Sequence, residues 1–309
     1  MRAFIFPGQG IQKAEMGKDL YVSFPLAKQI LNNADDILGR SLSKIMISGD
    51  EIELSRSYNA QPAIFLYEYI LATLQNEIKP DLVAGHSFGE FAALAVNKSI
   101  TFEDALRLVS VRAEFGENFV KNSETAMAAV IGLEDKVIEQ TIVEISRNEN
   151  NVIFIANYNG PGQVVLSGSR SGIKEACREF KLLGAKRAVF LPIQGAFHTP
   201  LMDNISDQYK THIDKIDFYS PQIPICQCAD SCINTDTNLI KLNLMKHMTS
   251  SVNWTKMVEQ MVDYGITEFI EIGTDNTLQK IVERMYPELK ATSILDIKSY
   301  FNKVRNYKI

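Results

Sequence analysis

Ser87, in Gly85-His86-Ser87-Phe88-Gly89, is the residue of this chain best placed for nucleophilic chemistry. The segment matches G-x-S-x-G. An apolar run, Leu82-Val83-Ala84, precedes it and a helix-compatible run follows. That context predicts a strand–turn–helix elbow that lifts the serine oxygen above a sheet. The flanking glycines permit a tight turn in which a side chain would clash. The helix after the turn would aim its N-terminal amides at the serine and favour developing negative charge.

A serine needs a base, and the chain has four histidines. His86 lies inside the elbow, where its side chain should point away from Ser87. His212 sits in a polar helix-like stretch and reads as a surface residue. His247 sits in a Lys/Met-rich stretch and reads as structural. His198 lies in Gly195-Ala196-Phe197-His198-Thr199-Pro200, a loop after an expected strand that Pro200 holds out of helix. Such loops are where α/β enzymes place chemistry, so we expect His198 to be the base. Asp203 is near it in sequence, but an amide could orient the ring instead.

Arg112 is the third signal. The expected helix 102–120 carries an apolar stripe at Phe102, Ala105, Leu106 and Val109, and Arg112 continues it. A guanidinium on a core-facing stripe needs an anionic partner. That partner is either structural, such as Glu90, or a substrate carboxylate held by a bidentate fork.

These side chains must be positioned by a sizeable core. The chain has 309 residues with 46% hydrophobic and 22% charged, enough for one large domain or two. Its 37 acids and 32 bases give a charge of −5, which argues against general nucleic-acid binding. No apolar run approaches the ~18 residues of a membrane span, and 1–6 is too short for a signal peptide. Cys226, Cys228 and Cys232 form C-x-C-x3-C with no histidine nearby. We read them as small apolar residues of a strand at 223–229 and expect no metal. Low cysteine use suits the cytoplasm.

Strands and helices alternate along the chain, which predicts an α/β fold with a parallel sheet. Strands are expected at 3–6, 82–84 and 268–272. Helices are expected at 24–38, at 61–76 opened by Pro62, at 88–96 and near 278–285. From 125 to 191 the order is β-α-β-β-α-β, with 157–162 as a turn, the pattern of a ferredoxin-like unit. We therefore expect a small subdomain at 125–191 inserted into a catalytic domain built from 1–124 and 192–309.

Several segments together resemble one family, the malonyl-CoA:acyl carrier protein transacylases, which include free-standing acyltransferases acting in trans on polyketide synthases. Phe6-Pro7-Gly8-Gln9-Gly10 resembles F-P-G-Q-G, Gln61-Pro62-Ala63 resembles Q-P-A, and Gly85–Glu90 resembles G-H-S-x-G-E. Gly195–Met202 is similar to G-A-F-H-S-P-L-M, and 157–168 and 271–273 also resemble family segments. The resemblance spans nearly the whole chain. It implies a hydrolase-like α/β core with an inserted ferredoxin-like subdomain.

The resemblance also implies roles. Ser87 would be the nucleophile and His198 the base, then the acid for the leaving thiol. Gln9 and Phe88 would supply oxyanion-hole amides, although Phe88 stands where leucine is usual. Arg112 would pair with the malonyl carboxylate. Phe197 resembles the malonyl-selective pattern, its ring crowding an α-methyl group. Asn253, before Trp254, falls where the family often carries a glutamine, and we expect it at the substrate. The implied reaction is ping-pong transfer from malonyl-CoA to an acyl carrier protein. Coenzyme A is part of the substrate and no cofactor is implied. The alternative is an acyl-carrier-protein hydrolase or esterase using the same Ser–His pair, and a non-catalytic scaffold is a third reading.

An acidic carrier needs a local basic surface on an acidic transferase. Arg170, Lys174, Arg178 and Lys181 fall within about an 80° arc of the expected helix 170–183, with Glu175 and Glu179 on another side. The tail cations Lys298, Lys303, Arg305 and Lys308 are a weaker candidate. We expect a monomer.

Overall fold

The computed structural model describes residues 1–49, 51–75, 77–192 and 195–301. The expected helix end at 76 and the tail cations Lys303, Arg305 and Lys308 lie outside the described residues. In chain order the strands are β1 (Arg2–Phe6), β2 (Leu82–Gly85), β3 (Thr125–Ile131), β4 (Ile153–Gly160), β5 (Gln163–Ser169) and β6 (Arg187–Phe190). They continue with β7 (Ile225–Cys226), β8 (Ile233–Asn234), β9 (Val252–Asn253), β10 (Glu268–Ile272) and β11 (Lys290–Ile294).

Six of these form a sheet in the order β11-β10-β1-β2-β7-β8, parallel except for β7–β8. Period-2 alternation sends its side chains into two cores. Phe4, Phe6, Val83 and Ile270 pack on the helices Ser57–Leu74, Gly89–Val96 and Phe102–Lys121. Ala3, Ile5, Ala84 and Phe269 pack on Trp254, Met257 and Val258 of the opposite layer. Both faces are covered, which is why β1 and β2 read as continuous apolar runs. The fold is α/β, as expected.

The second sheet has the order β6-β3-β5-β4-β9. Strands β3 to β6, with the helices Asp135–Ile145 and Arg170–Leu182, form an antiparallel β-α-β-β-α-β unit. Strand β9 joins it from the other sheet's side of the chain, parallel to β4. One face packs on those helices through Ala126, Ala128, Val164 and Leu166. The other presents Met127, Ala129 and Val165 to a cavity. The sheet is therefore both a small core and a roof.

Three local expectations are corrected. Residues 157–162 are not all turn: β4 runs to Gly160, with register shifts at Ile155/Asn157 and Tyr158/Gly160. Bulges absorb the extra residues and re-aim their side chains. Pro62 does not open its helix, which begins at Ser57. A proline there cannot bond to the Tyr58 carbonyl four residues back. Arg40 Nη2 donates to that carbonyl at 2.9 Å and its guanidinium lies over the Tyr58 ring, so an outside donor replaces the missing amide. The strand expected at 223–229 is only β7; Cys226 and Cys228 are buried and Cys232 is exposed.

Candidate active site

Strand β2 ends at Gly85 and the helix Gly89–Val96 begins four residues later, with Ser87 between them at φ 54°. The turn is held by contact. A Cβ on Gly85 would lie 2.0 Å from Glu90 N, and one on Gly89 would lie 2.4 Å from the Phe6 and Pro7 carbonyls. The elbow helix thus packs its backbone on the end of β1, and only glycine fits at either point. Glu90 anchors the helix by accepting from Cys228 N at 2.7 Å and Gln227 Nε2 at 3.1 Å.

Ser87 Oγ and His198 Nε2 are 2.7 Å apart. His198 also has a left-handed backbone, φ 64°. Non-glycine residues keep such φ values only when their surroundings impose them. Its Nδ1 donates to the carbonyls of His247 and Ser250, each at 3.1 Å, and its backbone amide donates to Met248 O. Among the described residues no carboxylate orients the ring; two carbonyls fix the tautomer that leaves Nε2 free to accept the serine proton. Burial, then the neighbouring His247, Arg112 and His86, pushes the His198 pKa well below its ordinary value, so the ring is a neutral base.

The loop after β1 faces the elbow. A Cβ on Gly8 would come within 3.1 Å of His86 O and 3.5 Å of Ser87 Cβ, so this backbone lies directly against the nucleophile. Gln9 and Phe88 both line the cavity. Among the described residues neither backbone amide donates to a protein acceptor. Two free N–H groups beside a serine can stabilise a tetrahedral oxyanion.

Arg112 is 2% exposed on the inner stripe of Phe102–Lys121. Its Nη1 donates to Gln61 Oε1 at 2.8 Å, and Nε has no partner among the described residues. The guanidinium lies 4.7 Å from the centre of the Phe197 ring and 6.0 Å from that of Phe88. Among the described residues no carboxylate pairs with it, and Glu90, the structural candidate, is spent on the elbow. Burial pulls its pKa down to about 10, which leaves it charged at neutral pH. A buried cation without an anion, in the wall of a cavity of about 910 Å³ that also holds Ser87 and His198, is a ready site for a carboxylate.

Sequence reasoning missed two residues here. Gln61 bridges Arg112 to Gln9, donating from Nε2 to Gln9 Oε1 at 3.1 Å. Its motif was legible but its partners lie 51 and 52 residues away. His247, read as structural, is fully buried against the pair: Nε2 donates to Ser87 O at 2.9 Å and the ring meets His198 edge to face. His86 does point away, its Nε2 2.8 Å from Asn159 Oδ1 on the bulged strand. His212 stands on another helix, against Phe115.

The structure does not bring Asn253 together with the other candidate residues. Asn253 does not line the cavity among the described residues. It caps the helix Trp254–Asp263, its side chain accepting from Lys256 N at 2.9 Å. Its position just before a helix satisfies an orphan amide, the ordinary use of asparagine there. Of the docking cations, Lys174, Arg178 and Lys181 line a surface groove with Val189 and Phe190. Arg170 lies over the Phe190 ring. Glu175 and Glu179 are not on a separate side, since both pair with Arg178.

Glu90, Cys228 and His247 cluster within 4.8 Å and are the one group of metal-ligand type among the described residues. Each is already committed: the carboxylate to two donors, the thiol to Gly85 O and the imidazole to Ser87 O. The cluster reads as the underside of the elbow.

Residues 3–300 match the acyl transferase domain family. The chain is 36% identical over 296 residues to the malonyl CoA-acyl carrier protein transacylase of Bacillus subtilis, covering 95% of this chain and 93% of that one. It is 33% identical to the Staphylococcus aureus protein of the same name, covering 94% of each. Among solved structures, an acyl carrier protein S-malonyltransferase from Vibrio cholerae superposes with a TM-score of 0.92 at 31% identity, covering 98% of this chain and 99% of that one. PlMCAT, a malonyl-transacylase solved in complex with the type II PKS acyl-carrier protein AntF, superposes at 0.94 and 31% identity, covering 99% of each.

Proposed function

This chain belongs to the acyl transferase domain family, and from that premise we propose that it moves a malonyl group from malonyl-CoA to the phosphopantetheine thiol of an acyl carrier protein. The observation that carries this reading is the buried, anion-free guanidinium of Arg112 in the same cavity as the Ser87–His198 pair. A malonyl thioester supplies both the carbonyl and the carboxylate that such a site lacks.

The steps follow from the geometry. His198 Nε2 takes the Ser87 proton as Oγ attacks the thioester carbonyl. The oxyanion sits on the amides of Gln9 and Phe88. The C–S bond breaks, the proton on His198 passes to the departing sulfur, and free coenzyme A leaves a malonyl-serine ester. The carrier's thiol then attacks this ester while His198 takes the thiol proton. Collapse breaks the ester C–O bond and returns the proton to Ser87. Arg112, ordered by Gln61 and walled by Phe88 and Phe197, holds the carboxylate through both halves. An acetyl group would leave the guanidinium unpaired and is disfavoured for that reason.

The same arrangement argues against a hydrolase of neutral acyl chains, which gains nothing from a buried cation. We read the groove beside Arg170, Lys174, Arg178 and Lys181 as the carrier's docking surface. This is supported by the run of β6 from that groove into Leu191 and Pro192, which line the cavity. The reading includes a monomer, checked by sedimentation, and a cytoplasmic location, with which four free thiols agree. No helix of the described residues is long and apolar enough to cross a membrane.

Intact mass after brief incubation with malonyl-CoA or acetyl-CoA tests the reading. A malonyl adduct on wild type, absent from Ser87→Ala and discharged by carrier protein, is the expected result. Free malonate without a lasting adduct would point to the hydrolase, and preferential acetyl loading would overturn the role of Arg112.

A further inference from the structure

We propose that Ser57 is a positioning residue that ends a directed hydrogen-bond chain from Arg112 through Gln61 to Gln9, and so ties the group that holds the acyl carboxylate to the loop that carries an oxyanion amide. This deepens the acyl-transfer reading and rests on it for the roles of Arg112 and Gln9.

The direction of the chain follows from its first member. A guanidinium only donates, so the atom of Gln61 that faces Arg112 Nη1 at 2.8 Å is Oε1. That leaves Gln61 Nε2 to donate, and it meets Gln9 Oε1 at 3.1 Å. Gln9 then has Nε2 left, which donates to Ser57 Oγ at 3.0 Å. Ser57 is the terminal acceptor. A Gln9 amide that lost this acceptor would be free to turn over, and once turned it would face the Gln61 donor with a donor of its own. All four residues line the cavity that holds Ser87.

Ser57 and Gln61 stand four apart on the helix Ser57–Leu74, one turn apart on the same face. The Gln9 side chain bridges that turn. A serine at a helix start commonly serves as its cap, yet here Arg56 holds the N-cap place. The Ser57 hydroxyl accepts instead from the loop after β1. The same turn is fixed to the helix Phe102–Lys121 that carries Arg112: Glu117 accepts from Tyr58 N at 3.3 Å and pairs with Arg56 at 3.0 Å. The rest of the loop is also held by side chains, Gln12 Oε1 accepting from Gly10 N at 3.0 Å and Thr274 Oγ1 donating to Ile11 O. Side-chain bonds therefore set where the Gln9 amide stands, and Ser57 acts on the oxyanion through Gln9.

Ser57→Ala removes the acceptor and Ser57→Thr restores it. The readouts in the full-length protein are kcat/KM for loading from malonyl-CoA and from acetyl-CoA, the rate of Ser87 labelling by a fluorophosphonate, whose phosphoryl oxygen also needs the oxyanion amides, and Tm. Ser57→Ala should lower malonyl loading by about 3- to 10-fold, the worth of one hydrogen bond, with Tm little changed. Acetyl loading and labelling should fall less, because only the Gln9 end of the chain acts on them. Ser57→Thr should restore all three. In an Arg112→Ala background, Ser57→Ala should no longer change the ratio of malonyl to acetyl loading, since the chain has lost its first member. No loss in Ser57→Ala, no rescue by Ser57→Thr, losses that follow Tm, or a change in the ratio that persists without Arg112 would each overturn the proposal. Wild type that is labelled yet takes no malonyl would sink the acyl-transfer reading instead, while loss and rescue of labelling would still judge the hold of Ser57 on Gln9.

Discussion

Arg112 and Arg178 carry the same group and stand in opposite conditions. Arg112 is 2% exposed and pairs with no carboxylate among the described residues, while the side chain of Arg178 is 60% exposed and pairs with both Glu175 and Glu179. Water solvates Arg178 whether or not those pairs form, so each pair contributes little. Arg112 has no such reserve. What it lacks in the folded protein must come from a ligand, from Gln61 and from the aromatic walls. Burial turns a common charge into a selective one, and that difference ranks what each region should do when altered.

The largest effect belongs to the buried cation. Arg112→Ala should lower kcat/KM for malonyl-CoA by about 10²- to 4 × 10³-fold, because a buried carboxylate left without its partner costs roughly 3–5 kcal/mol. Acetyl-CoA should lose far less, so the ratio of the two substrates is the measurement. Equal losses would mean that Arg112 supports the fold and not the acyl group.

The same burial acts on His198, whose pKa is pushed well below 6.5. The base works as the neutral ring, so loading should hold a plateau from pH 8 down through 6.5. It should then fall about tenfold per unit only below the depressed pKa. The stability sign agrees. The unfolded chain takes up protons near pH 6.5 that buried His198 and His247 refuse, so stability is present above that pH and is lost in acid. Initial loading rates from pH 5 to 8 check this, and a midpoint at or above 6.5 would contradict a buried neutral base.

A smaller change tests the wall. A Cβ on Gly116 would lie 2.2 Å from Phe197 Cζ, so Gly116→Ala must push that ring from its place over Arg112. Overpacking of this kind typically costs about 1–3 kcal/mol. We expect a several-fold loss in malonyl preference over acetyl in competition assays, with a lowered Tm. An unchanged preference would show that Phe197 does not shape the acyl site.

What could be read from the sequence divides along the same line. Ser87 announced itself because an elbow demands glycines at fixed places, where a Cβ would come within 2.0–2.4 Å of backbone atoms. Arg112 was visible because a charge breaks an apolar stripe. Gln61 stood in a legible motif and His247 in none, but the role of each is a bond to a residue 51 or 160 positions away that local sequence does not reveal. Asn253 is the opposite case, since capping the helix that follows it is a purely local use. The bulged end of β4 read as turn because Asn and Gly suit both.

The exposed groove should respond least. Reversing Lys174 and Arg178 together leaves the Ser87 cavity intact, so loading from malonyl-CoA should not change. Transfer to the carrier should weaken by only a few-fold, since exposed charges in water each contribute little. The effect should enter through KM for the carrier and fade as salt rises, because screening shortens its reach. Arg178 alone should matter less than Lys174, because its two glutamates already offset its charge. Steady-state transfer to carrier protein at two salt concentrations, for Lys174→Glu, Arg178→Glu and the double variant, decides this. An unchanged KM in the double variant would move the carrier off this groove, while a loss as deep as that of Arg112→Ala would erase the contrast between the two regions.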